Sequence, residues 1–192
     1  FSVAVSGSHG KTTTSSMVST ILAEGGLDPT MVIGGKLASI GSNARLGDGD
    51  IIVAEADESD GSFLKLSPTI AVVTNIDREH LDYYPGIEEI KAAFLKFANI
   101  VPFYGCTVMC NDNEHVREIA DAIKRRVITY GIDQPADYST NDIQFLESKT
   151  LYQLSYKGES LGDVELIVPG LFNVYNSMAA VAVGRELGLD MA

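Results

Sequence analysis

Gly7-Ser8-His9-Gly10-Lys11-Thr12-Thr13-Thr14 decides how this sequence is read. Before it stands a short apolar run of strand length, residues 1–6 (FSVAVS). After it, residues 11–24 carry Met17, Val18, Ile21 and Leu22 at helical spacing and stop at Gly25-Gly26. A strand, a glycine-rich turn and a helix start, in that order, are the setting of a phosphate-binding loop. Glycines let backbone N–H groups turn toward phosphate oxygens, and the helix N-terminus adds partial positive charge. Lys11 can reach terminal phosphates, and the Thr12 hydroxyl can ligate Mg²⁺. The spacing departs from the common loop, because only Ser8 and His9 lie between Gly7 and Gly10 where that pattern has about four residues. A glycine turn that merely caps a helix is the competing reading, and the strand–loop–helix context weighs against it. Lys11 is expected to be partly exposed, so that its removal costs no core contact.

Outward from the loop, strands alternate with helices. Residues 51–54 (IIVA) and 70–74 (IAVVT) are continuous apolar runs, which suit strands covered on both faces. Ile87, Ile90, Phe94 and Phe97 keep helical spacing, as do Val116, Ile119, Ala120 and Ile123. Residues 107–110 and 127–130 read as further strands. The rhythm predicts an α/β fold: a mostly parallel sheet flanked by helices, similar to phosphate-loop nucleotide hydrolases, with right-handed crossovers. Past Pro135 the pattern changes to alternation, in Ile143 and Phe145, then Tyr152, Leu154 and Tyr156, then Val164, Leu166 and Val168. Breaks at Ser148-Lys149 and Lys157-Gly158 make this a small antiparallel meander, assigned to residues 136–168 as a subdomain. Residues 173–187 return to helix, with Val174, Met178, Val181 and Ala182 inward.

Composition narrows the function. The 192 residues hold 26 acidic and 14 basic side chains, a net charge of −12. That balance repels nucleic acid and anionic membranes, but not a small anion carried in with a metal ion. No apolar run approaches the roughly 20 residues of a membrane span. Cys106 and Cys110, four residues apart, read as buried core thiols rather than a zinc site. The chain starts at Phe1, inside a strand and without an initiator Met, as expected of a processed chain or, in better accord, of a piece cut from a larger protein.

Further candidates fall at the C-terminal ends of strands, where parallel sheets bind ligands. Asp48, Asp50, Glu55, Asp57, Glu58 and Asp60 crowd one stretch without a basic residue. Asp48 and Asp50 fit a solvated turn. Glu55 ends an apolar strand and is placed to hold Mg²⁺ beside phosphates, with Asp57 and Glu58 as alternatives and a helix cap or loop carboxylate as the plain reading. His80 follows residues 70–74 on the same edge, as a metal ligand, a phosphate contact or a surface histidine. His115 has no functional signal. In Pro169-Gly170-Leu171-Phe172-Asn173-Val174-Tyr175-Asn176, the asparagine amides match an adenine edge and Phe172 could stack on a base. Chemistry alone favours an Asn cap with an aromatic staple.

Taken together these residues resemble the Mur ligase family. GSHGKTTT (7–14), EADESDGSFL (55–64), TNIDREHLDYY (74–84), PFYG (102–105) and PGLFNVYN (169–176) come in that family's order and cover essentially the whole chain. The match is to the central ATPase domain. His9 and the EADESD string mark the branch that adds L-alanine, and the family's shortened loop accounts for the spacing noted above. The resemblance implies that Gly7, Ser8, His9, Gly10, Lys11, Thr12 and Thr13 cradle ATP, with Lys11 as the phosphate-binding lysine. It makes Thr12 and Glu55 magnesium ligands, gives His80 to the metal and γ-phosphate region, and sets Phe172, Asn173 and Asn176 at adenine. Two positions depart: Phe172 stands where the family usually has His, and Phe94 where several sister ligases carry a carbamylated lysine. The L-alanine branch also lacks that lysine. The implied activity is ATP-dependent amide formation between UDP-N-acetylmuramate and L-alanine in the cytoplasm, through an acyl phosphate. Residues 1–192 would be one domain of that enzyme, inactive when isolated. A related ligase that recycles a tripeptide onto the same sugar nucleotide is one rival, and a phosphate-loop kinase or nucleotide switch is another.

Overall fold

In the computed structural model, residues 1–34 and 43–190 are described. In chain order they form β1 (Ser2–Ser6), α1 (Lys11–Glu24), β2 (Thr30–Val32), β3 (Ala44–Arg45), β4 (Ile52–Glu55), β5 (Ile70–Val73), α2 (Ile87–Ile100), β6 (Cys106–Cys110), α3 (Glu114–Ala120), β7 (Arg126–Gly131), β8 (Tyr138–Phe145), β9 (Thr150–Tyr156), β10 (Glu159–Leu166) and α4 (Leu171–Glu186). A single 3₁₀ turn, Ser62–Lys65, follows β4.

All of these strands join one sheet, in the order β10-β9-β8-β7-β6-β5-β1-β4-β2-β3. β1 runs parallel between β4 and β5, with Val5 opposite both Glu55 and Val72. Chain order therefore reverses direction across the sheet at β1, which opens a crevice at the C-terminal strand ends. β7 and β8 pair in parallel at only two positions, Tyr130 with Tyr138 and Gly131 with Ser139. From there the β8–β9–β10 meander continues the same sheet in antiparallel fashion. The sequence reading did not find β2 and β3, because runs of three and two residues carry no measurable period.

Alternation along the strands splits the core. Val3, Val5, Val53, Val72 and Val108 face α1 and α4, where Val18, Leu22, Met178 and Val183 meet them. Ala4, Ala71, Val73 and Met109 face the other way, against Phe94 and Phe97 of α2 and Ile119 of α3. Each fully buried Val, Leu or Phe contributes about 1.5–3 kcal/mol. Cys106 and Cys110 lie buried and unpaired in the first cluster, where burial pushes both thiols up to about 11. Asp48 and Asp50 are exposed, as a solvated turn requires.

One helix face differs from expectation. α1 buries Thr14, Ser15, Val18, Ser19 and Leu22, while Met17 and Ile21 are only partly covered. Its partner α4 is enclosed on every side from Asn176 to Gly184. Small hydroxyl side chains let the two helices approach, as Gly184 does, where a Cβ would stand 3.0 Å from Ile21. Shape, rather than an apolar stripe, selects that face. No helix among the described residues is long and apolar enough to cross a membrane.

Candidate functional site at the C-terminal edge of the sheet

The loop after β1 turns where only glycine fits. Gly7 has φ 143°, and a Cβ on it would come within 2.1 Å of the Thr74 hydroxyl oxygen. Gly10 has φ 82° and starts α1 without a side-chain cap. The loop is stapled to the segment after β5. Asn75 accepts from the His9 amide at 2.8 Å and donates to the His9 carbonyl at 2.9 Å. The Ser8 amide donates to the Asn75 carbonyl, and the Thr74 hydroxyl to the His9 carbonyl. With those two amides engaged, the donors left for an anion lie from Gly10 into the first turn of α1, where Thr13 is half-buried.

Two carboxylates divide the cations and hydroxyls of this edge. The Thr12 hydroxyl donates to Glu55 Oε2 at 2.9 Å, and the Gly34 amide donates to the same oxygen at 2.9 Å. Lys11 Nζ donates instead to Gly7 O at 2.7 Å and to Glu58 Oε1 at 2.9 Å. His80 Nε2 lies 3.2 Å from that same Glu58 oxygen. His80 itself sits at φ 54°, a left-handed turn whose carbonyl accepts from the amides of Tyr83 and Tyr84. Thus Thr12 and Glu55 come together as the sequence suggested, while His80 pairs with Glu58. The expectation that Lys11 touches nothing in the core is corrected. Its side chain is only 16% exposed and neutralises a carboxylate that is 2% exposed.

Beside the loop lies a cleft of about 280 Å³, lined by His9, Gly10, Asn75, Phe172, Tyr175 and Asn176 among others. His9 stands at its rim, between Asp77 at 3.4 Å and Glu79 at 3.6 Å. Phe172 is 82% exposed, with its ring free to stack. Asn176 accepts from the Thr14 hydroxyl at 3.1 Å and leans on Asn173, whose amide nitrogen donates to Pro169 O. Asn173 therefore holds the helix start together, as a cap would, and is not among the residues that line the cleft.

Sequence reasoning passed over Asp112. It accepts from the amides of Ile132, Asp133 and Gln134 and from the Tyr175 hydroxyl at 2.7 Å, and so fixes the cleft floor. Burial pushes its carboxyl up, but the backbone N–H groups of Asp133, Ile132 and Gln134 and the Tyr175 hydroxyl outweigh that and hold it below its ordinary value. The signal was available: Asn111-Asp112-Asn113 follows an apolar strand at the ligand edge, where Glu55 ends another and His80 lies beyond a third. His115 pairs with Glu118 on α3, away from this cleft.

The profile of the Mur ligase middle domain matches residues 5–184. The chain belongs to this family. Among curated relatives, the UDP-N-acetylmuramate–L-alanine ligase of Syntrophus aciditrophicus (strain SB) is 66% identical over 188 residues, 98% of this chain and 39% of that protein. Among solved structures, UDP-N-acetylmuramate-alanine ligase of Thermotoga maritima aligns with a TM-score of 0.84 at 28% identity, over all of this chain and 42% of that one. The UDP-N-acetylmuramate:L-alanyl-gamma-D-glutamyl-meso-diaminopimelate ligase of Neisseria meningitides gives 0.88 at 26% identity, over 99% of this chain and 62% of that one. This Mur ligase domain thus spans about two-fifths of the curated relatives it matches.

Proposed function

We propose that this Mur ligase domain binds ATP and Mg²⁺ and supplies the phosphoryl-transfer half of a cytoplasmic enzyme joining L-alanine to UDP-N-acetylmuramate. In that reaction the lactyl carboxylate takes the γ-phosphoryl group, giving an acyl phosphate and ADP. The alanine amine then displaces phosphate and forms the amide. The observation that carries the reading is the Thr12–Glu55 pair at 2.9 Å, one residue along from a lysine at the mouth of a glycine loop. The donor set suits magnesium. Among the described residues no group of three or more His, Cys, Asp or Glu forms a metal centre. Two protein oxygens completed by phosphate and water are the coordination Mg²⁺ favours. Bound there, the ion would neutralise the β- and γ-phosphate oxygens.

The remaining work falls to the chain itself. Gly7 to Thr13 would wrap the phosphates, and Lys11 would offset charge as two anions approach. His80 would stand at the γ-phosphate region. Phe172 and Asn176 would receive adenine in the cleft, with Asn173 beside Asn176. The UDP-sugar and amino-acid sites belong, in this reading, to further parts of a longer protein. Preference for L-alanine over the tripeptide acceptor rests on the identity to L-alanine ligases. The test is acyl-phosphate trapping and product analysis with the full-length enzyme. ATP-dependent amide formation with L-alanine and not the tripeptide is expected. Tripeptide ligation, or phosphoryl transfer to an acceptor other than the UDP-N-acetylmuramate carboxylate, would replace the reading with one of its rivals.

A further inference from the structure

Glu58 lies three residues beyond Glu55, past the end of β4. It is anchored at both ends. Its carbonyl accepts from the Tyr84 hydroxyl at 2.7 Å and the Gly61 amide at 3.1 Å. Its carboxylate, 2% exposed, gives Oε1 to both Lys11 Nζ and His80 Nε2, while Oε2 faces the Ser6 hydroxyl at 3.5 Å. Tyr84 closes the circle, because its own amide donates to the His80 carbonyl at 2.9 Å. One carboxylate thereby ties together residues carried by different strands: Lys11 after β1 and His80 after β5.

The neighbours of the two glutamates differ in charge. Among the described residues Glu55 meets a hydroxyl and a backbone amide, both neutral, which leaves its negative charge to a cation. Glu58 meets an ammonium at 2.9 Å, so its charge is already balanced. A buried carboxylate persists only with such a partner. The benefit is reciprocal. Lysine is a flexible four-carbon stem, and an ammonium held between Gly7 O and Glu58 is preorganised for a developing charge.

We propose that Glu58 is a positioning residue of the phosphoryl-transfer site, whose buried carboxylate holds the Lys11 ammonium and the His80 ring in one fixed relation. The assignment rests on the functional reading above and adds a residue to it that is not a metal ligand. Removing the charge of Glu58 frees Lys11 to attract the triphosphate more strongly, yet leaves it misplaced for transfer. Turnover therefore falls while ground-state binding holds or tightens, which a purely structural role would not produce.

The experiment uses the full-length ligase. In Glu58→Gln, the Kd of a nonhydrolysable ATP analogue, measured by calorimetry, is expected to equal or fall below the wild-type value. Its kcat is expected to drop at least tenfold, and the Mg²⁺ midpoint of analogue binding to stay within twofold. Glu58→Asp keeps a charge opposite Lys11, which preserves folding should Gln fail to fold. One methylene short, it should retain analogue affinity and show a kcat between those of wild type and Gln. In nucleotide-free protein carrying ¹⁵N-histidine, the His80 ring resonances should change in both Glu58 variants and not in Glu55→Gln. A Mg²⁺ midpoint raised more than twofold would make Glu58 a metal ligand and overturn the proposal. Weakened analogue binding that tracks lost turnover, or unmoved His80 resonances, would also overturn it. A wild-type enzyme that binds analogue but ligates no L-alanine would sink the functional reading alone, and the affinities and resonances would still decide the role of Glu58.

Discussion

Gly10 faces the side chain of Asn176 so closely that a Cβ on it would stand 2.7 Å from Oδ1. The same oxygen accepts the Thr14 hydroxyl at 3.1 Å. The loop near one end of the chain and the helix near the other are thus fitted to each other. On the proposed function, a nucleotide would lie in a cleft whose two walls touch through Asn176.

Gly10→Ala is expected to lose nucleotide binding and some stability. Its φ of 82° is left-handed, which costs an L side chain about 1–2 kcal/mol, and the methyl would displace Asn176. Urea unfolding and analogue calorimetry on the same protein would check both. Wild-type values in both would show that the loop and α4 are not coupled.

Lys11→Ala is expected to abolish nucleotide binding and to destabilise the fold as well. It strips the ammonium from a carboxylate that is 2% exposed, and His80 remains as the other partner. Loss of one partner from a buried pair costs roughly 3 kcal/mol. Adding Glu58→Gln to Lys11→Ala should recover most of that stability without restoring binding. If the single variant unfolds at the wild-type urea midpoint, the pair is not buried in solution.

Glu55→Gln should raise the Mg²⁺ needed for half-maximal analogue binding at least tenfold, equivalent to about 1.4 kcal/mol. An amide oxygen can still accept from Thr12 and Gly34, so the unfolding midpoint should hold. An unchanged Mg²⁺ titration would move the ligand role away from Glu55.

Asp112→Asn should loosen the cleft floor, because the Ile132 and Asp133 amides and the Tyr175 hydroxyl donate to one carboxylate oxygen and the Gln134 amide to the other, and an amide that keeps one oxygen leaves at least the Gln134 N–H facing an NH₂ donor. About 2 kcal/mol is the expected scale. The Asp112 carboxyl is held below its ordinary value when folded. Its contribution is therefore fully present above the unfolded value of about 3.9 and is lost as pH falls through the lower folded value. The stability gap between wild type and variant should be constant at neutral pH and close under acid. A gap that instead widens on acidification would contradict this assignment.

The 192-residue chain alone is expected to unfold cooperatively, since both core clusters lie within it. It should bind the analogue weakly and only with Mg²⁺, and release no phosphate with UDP-N-acetylmuramate and L-alanine. On the proposed function, the groups that would hold the carboxylate in line and exclude water belong to other parts of a longer enzyme. Substrate-dependent phosphate release by the isolated chain would show that the whole catalytic site lies here.

Much of this arrangement follows from local sequence. Apolar runs of strand length, the glycine loop between a strand and a helix, and the alternation after Pro135 place the strands and the loop, because backbone period and turn chemistry are properties of near neighbours. The rule that ligands meet C-terminal strand ends brought Glu55, His80 and the loop to one edge. Near neighbours could not decide three other things. β2 and β3 form because partner strands receive them, with Met31 opposite both Val53 and Arg45, and not from any pattern of their own. The hydroxyl face of α1 is buried because α4 comes close enough to need small side chains. Glu55 and Glu58 are the same residue type three positions apart, and only tertiary structure tells them apart. Desolvation and partner charge depend on what distant segments bring into contact, and here the fold sets Glu58 beneath Lys11 and leaves Glu55 beside Thr12.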